Sequence, residues 1–142
     1  MINTNFYKPI HFCIQELVSP DIYLERGDKC YELFDWRILY TADCLREYFG
    51  IPLVINDWHR GGVRRLSGFR SSDCYIGVKL SQHKLGNALD IISPKMEASE
   101  MRLKIIEKHR LFPYITAMED KVPWLHIDCR STEEKLLLFK RG

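Results

Sequence analysis

Two stretches of this chain carry side chains that bind metals. His83 and Asp90 stand in the run Ser81-Gln82-His83-Lys84-Leu85-Gly86-Asn87-Ala88-Leu89-Asp90, and His126 stands in Trp124-Leu125-His126-Ile127-Asp128. Two neutral imidazoles and one carboxylate are a donor set that a catalytic Zn²⁺ takes, with a fourth position left for water and ligand bonds of roughly 2.0–2.2 Å. A structural zinc site closes with four protein ligands and favours thiolates. The cysteines at 13, 30, 44, 74 and 129 form no Cys-x-x-Cys pair, so sulfur is not the expected ligand.

The elements around these residues must bring them together. Side chains alternate along a strand, so a strand over Trp124–Cys129 puts Trp124, His126, Asp128 and Arg130 on one face and Leu125, Ile127 and Cys129 on the other. The apolar set can then face the core while Asp128 either orients the His126 ring or meets the metal's water. In the first run, Gly86 permits a turn that brings His83 back toward Asp90. Asp90, between Leu89 and Ile91, is a carboxylate in an apolar strand and needs a partner, whether a metal, an arginine or backbone donors. Small Ala88 leaves room beside it.

Periodicity predicts the scaffold. Phe34, Ile38, Ala42, Leu45 and Phe49 recur at helical steps and stop at Gly50 and Pro52, predicting the longest helix. Shorter helical pieces are expected around Phe12–Val18 and from Asp21, as a cap, through Leu24. Pro52–Asn56 reads as a buried strand, with a second short one near Leu66. A loop-rich stretch leads to a strand over Asn87–Ile92, a helix over Ala98–Leu111, strands over Tyr114–Met118 and Trp124–Cys129, and an edge strand or short helix over Leu136–Phe139. The fold class expected is α+β: a small antiparallel sheet with helices packed mainly on one side.

Composition bounds the rest. A chain of 142 residues fits one domain able to bury roughly 68–70% of its unfolded surface. A net charge of +2 is too small for nucleic acid to be the main partner. Only His59-Arg60-Gly61-Gly62-Val63-Arg64-Arg65 is locally basic, as a solvated loop or as a contact for an anionic polymer or substrate carboxylate. An odd number of cysteines fits a reducing compartment. The stretch Met1–Pro9 lacks the pattern of a signal peptide, and no apolar run is long enough for a membrane span, so synthesis in the cytoplasm and a monomer are expected.

At these residues the chain resembles the zinc D-Ala-D-Ala peptidase family, which includes phage peptidoglycan endopeptidases and shares its fold with the hedgehog signalling domain. The family's Ser-x-His-x-x-Gly-x-Ala-x-Asp pattern is met at Ser81, His83, Gly86, Ala88 and Asp90, its late Trp-x-His at Trp124 and His126, and its Ser-Gly-Tyr-Arg element nearly so at Ser67-Gly68-Phe69-Arg70. The resemblance implies a zinc held by His83, Asp90 and His126. It also implies hydrolysis of peptide bonds in peptidoglycan stem peptides, by a D-Ala-D-Ala carboxypeptidase or an endolysin-like endopeptidase with a phage or host-cell lysis role. Arg70 would stand near the oxyanion or a terminal carboxylate. Many relatives carry Glu three residues before the last histidine, but Pro123 stands there; Glu119 is then the first choice of base, with Asp120 and Asp128 as alternatives. Ser81 contacts substrate or starts the turn, and Trp124 walls the cleft or packs in the core. A non-catalytic zinc module that binds cell wall, or a phage structural component, is the competing reading.

Overall fold

The computed structural model describes residues 6–76 and 81–140. The first five residues of the Met1–Pro9 stretch and residues 77–80 of the stretch expected as loop before Ser81 lie outside them. The described residues form three α-helices: α1 (Pro20–Arg26), α2 (Trp36–Phe49) and α3 (Ala98–Glu107). Four short strands make one sheet: β1 (Ala88–Ile91), β2 (Ala117–Glu119), β3 (Leu125–Asp128) and β4 (Leu137–Phe139). No described helix is long and apolar enough to cross a membrane.

The helices begin and end for local reasons. The Asp35 carboxylate accepts the Arg37 amide, so α2 starts at Trp36 and not at Phe34; Gly50, in the left-handed region at φ 65°, closes it. In α1 the cap position falls to Ser19, with Pro20 as first helical residue, where its missing N–H costs nothing. Asp21, expected as the cap, lies in the first turn and accepts the Ser19 hydroxyl. The helix expected over Ala98–Leu111 stops at Glu107, and His109–Leu111 form a separate 3-10 turn whose His109 ring meets the Ile115 carbonyl.

The sheet runs in the order β1-β3-β2-β4. β3 pairs antiparallel with both neighbours, whereas β4 lies parallel to β2. The sheet is therefore mixed, not purely antiparallel. With both edges of β3 already occupied, the chain leaving it can add a strand only at an outer edge, and residues 129–136 carry it across the start of β2 to the free edge of that strand, which β4 joins in the same direction. The expected strand over Pro52–Asn56 is reduced to one bridge, Val54 to Ile92. Asn56 turns its amide to the Glu16 carbonyl and its side chain to Val18 and Ser67, so Leu53, Ile55 and Asn56 are buried while the backbone at Asn56 pairs outside the sheet. No strand forms near Leu66, although the Ser67 carbonyl accepts the Asp90 amide.

One face of the sheet, Leu89, Ile91, Leu125, Ile127 and Met118, is fully buried. It shares a single apolar core with Ile38, Leu39, Ala42 and Leu45 of α2 and Met101 and Ile105 of α3. Burial of each large side chain contributes about 1.5–3 kcal/mol. The register then fixes the other face, where Asp90, His126, Glu119 and Phe139 stand side by side across all four strands.

Candidate metal centre

Asp90 and His126 are therefore neighbours by strand pairing, and His83 joins them from the turn before β1. That turn depends on Gly86. Its φ is 73°, and a Cβ there would stand 2.0 Å from the Leu33 carbonyl oxygen, while its own carbonyl accepts the Asp35 amide. A side chain at this position would meet both backbone strain and a collision.

The His83 Nε2 lies 3.2 Å from Asp90 Oδ1, and the His126 Nδ1 lies 2.9 Å from the same oxygen. One donor atom from each of the three residues can be chosen so that all lie within 4.8 Å of one another, and all three residues are buried. Second partners orient both rings. His83 Nδ1 meets the Gly68 carbonyl at 2.9 Å and so carries its hydrogen there. His126 Nε2 meets Asp128 Oδ2 at 2.8 Å. Each ring thus turns its other nitrogen toward Asp90. Two ring nitrogens around one carboxylate oxygen are a cluster of acceptors, and a cation completes it, whether a proton or a metal ion.

Asp128 is fully buried and receives two bonds from the Arg130 guanidinium, at 2.8 and 2.6 Å, and a third from the Arg130 amide at 3.2 Å. The Arg130 guanidinium stacks over Phe139, 4.5 Å from the ring centroid, and Phe139 sets its face or edge against His126 at 5.5 Å between centroids. His126 is consequently held from behind by an acid, a base and an aromatic ring. Burial disfavours the His126 cation, but the hydrogen bonds to Asp128 and Asp90 outweigh it and raise the ring to about 9. Burial likewise works against the Asp90 carboxylate, yet the attraction of His83 and the bond from His126 hold it well below the usual carboxylate range.

The cluster lies in a cleft of about 360 Å³, lined also by Arg70, Glu119, Trp124 and residues 63–67. Arg70 is buried, donates to the Leu66 carbonyl and approaches Asp90 Oδ2 at 3.4 Å. Glu119 is buried, and its carboxylate has no hydrogen bond or ion pair among the described residues. The Trp124 indole N–H is buried without an acceptor among them. Three other residues singled out by sequence stand elsewhere. Ser81 uses its hydroxyl to accept the His83 amide, Asp120 faces Arg102 at 3.7 Å, and Asp128 sits behind the His126 ring. Pro123 lines a different hollow of about 660 Å³ beside the start of α3; that hollow is larger, but it contains no histidine or cysteine.

The sequence named Arg64 only within its basic stretch and Gly68 only within the Ser67–Arg70 element, giving neither a role beside the triad, and gave Phe139 none. Arg64 donates to the carbonyls of Ile55 and Asp90, and only its basic stretch had signalled it. Gly68 acts through a carbonyl, which no residue type reveals. Comparison of the chain with family models, curated proteins and solved structures gives no match. The fold and site define an α+β domain with a buried histidine–aspartate–histidine triad suited to a metal ion.

Proposed function

We propose that the protein is a zinc-dependent metallopeptidase that hydrolyses peptide bonds of peptidoglycan stem peptides, as a D-Ala-D-Ala carboxypeptidase or an endolysin-like endopeptidase, and that its domain has the hedgehog and D-Ala-D-Ala peptidase fold. The observation that carries this reading is the convergence of His83, Asp90 and His126 at the wall of an open cleft that Glu119 also lines. Two nitrogens and one oxygen, with rings fixed by Gly68 and Asp128, suit Zn²⁺ with a position to spare. When bound, the zinc supplies Lewis acidity that brings a water's pKa to about 7 and polarises a carbonyl.

The chain's own residues supply the remainder. Glu119, the neighbour of His126 in the sheet, takes the proton of the attacking water and returns it to the leaving amine. Without a hydrogen bond or ion pair among the described residues, it is available for that exchange. Arg70 holds the outer oxygen of Asp90 and places positive charge beside the developing oxyanion. Trp124 offers its indole N–H to a substrate carbonyl, because a buried donor needs an acceptor. Asp128, bound to Arg130 and His126, orients the ring and is not the base.

Metal analysis of purified protein should find about one zinc per chain, and peptidoglycan fragments incubated with it should release D-Ala or new amino groups. Glu119→Gln should keep the zinc and lower kcat by about 10²–10⁴-fold. A second reading, a zinc-stapled cell-wall-binding module without turnover, draws on Pro123 at the position where the resemblance puts an acid. Full zinc with no product from any peptidoglycan fragment would favour it.

A further inference from the structure

The metal cleft does not end at the metal cluster. Arg65 and Leu66 line it, and the same two residues line a second hollow of about 400 Å³ with Ser19, Asp21, Ser71 and Tyr75. They form a saddle between two depressions. A ligand long enough to occupy both depressions must cross these two residues.

The saddle is fixed in place. Arg64 on one side donates its amide to Asp57 Oδ1, and its carbonyl accepts the amides of Asp57 and Trp58. On the other side, the Ser67 amide bonds to Asn56 and the Ser67 carbonyl accepts the amide of Asp90. Position 65 is thereby held at a set distance from a triad residue. Its side chain differs from those of its neighbours. Arg64 and Arg70 are committed to carbonyls and to Asp90, but exposed Arg65 makes no hydrogen bond or ion pair among the described residues; Asp21 only feels its charge.

Charge gives the ligand's sign. The cleft is lined by Arg64, Arg65 and Arg70 against Asp90 and Glu119, an excess of one positive charge that a divalent ion would increase further. Such a cleft favours an anion. We propose that the substrate is an extended anionic peptide that crosses the saddle, and that Arg65 binds a carboxylate it carries outside the bond being cleaved. This rests on the peptidase reading and deepens it.

The test uses the zinc-loaded full chain and two synthetic probes, L-Ala-γ-D-Glu-L-Lys-D-Ala-D-Ala and its counterpart in which the free carboxylate of the γ-D-Glu residue is an amide. Both kcat/KM and Kd are measured. The wild type should favour the carboxylate peptide by about tenfold, the scale of one charge-assisted hydrogen bond. Arg65→Gln should bring that ratio near one, and Arg65→Lys should retain part of it. Arg60→Gln, which removes a charge that lines neither depression, should leave the ratio at its wild-type value. Equal handling of the two probes by the wild type, or a preference that survives Arg65→Gln, overturns the inference while leaving the peptidase reading intact. An Arg65-dependent difference in Kd without cleavage supports the contact between Arg65 and the peptide's carboxylate but removes the peptidase, and with it the placing of that contact beside a bond being cleaved. Neither binding nor cleavage of either probe overturns both.

Discussion

At the scale of the residue, Asp90 is the pivot: one carboxylate oxygen meets both histidine rings and the other meets Arg70. Asp128 acts one step further out, so Asp128→Asn should leave the donors present but poorly oriented and weaken zinc binding by about 10–100-fold, read by competition with a chromophoric chelator. A pH dependence follows from His126. In the metal-free fold its ring is raised from 6.5 to about 9, so the stability it contributes is fully present below 6.5 and lost as the pH climbs through 9. Metal binding asks the opposite, a ring that has shed that proton. Calorimetry of chelator-stripped protein should therefore show Tm declining over this interval, and zinc affinity should strengthen over the same range.

At the scale of the element, Gly86 is the most exacting position. Gly86→Ala adds left-handed strain and a contact with the Leu33 carbonyl, and should cost at least about 2 kcal/mol in urea unfolding, with zinc binding weakened alongside. Residue patterns that repeat were legible from sequence. The apolar steps of α2 and the alternation of β3 put Ile38, Leu45, Leu125 and Ile127 in the core, and the alternation also set His126 and Asp128 together. What sequence did not carry was pairing. Nothing in Leu137–Phe139 says that it lies parallel to β2, and Pro52–Asn56 has the composition of a strand but gives its backbone to loops. For the same reason Phe139 escaped notice, since its place beside His126 depends on a register set by residues far away. The clustering of His83, Asp90 and His126, by contrast, followed from residue type and motif.

At the scale of the whole molecule, the triad joins segments 43 positions apart, His83 and His126, so the ion would act as a cross-link as well as a reagent. With free zinc at a thousand times its Kd, the folded state should gain about 4 kcal/mol, and excess EDTA should lower the Tm accordingly in a thermal scan. All five cysteines are free thiols, and burial pushes Cys129 up to about 12, so no disulfide shares that role. The order of the strands adds a constraint in time. β3, the centre of the sheet, follows β1 and β2 in the chain, so a polypeptide still emerging from the ribosome exposes two strands with nothing between them. Arrested at Lys121, after β2 and before β3, such a nascent chain should be a client for a chaperone and a poor captor of zinc, because its third donor has yet to be translated.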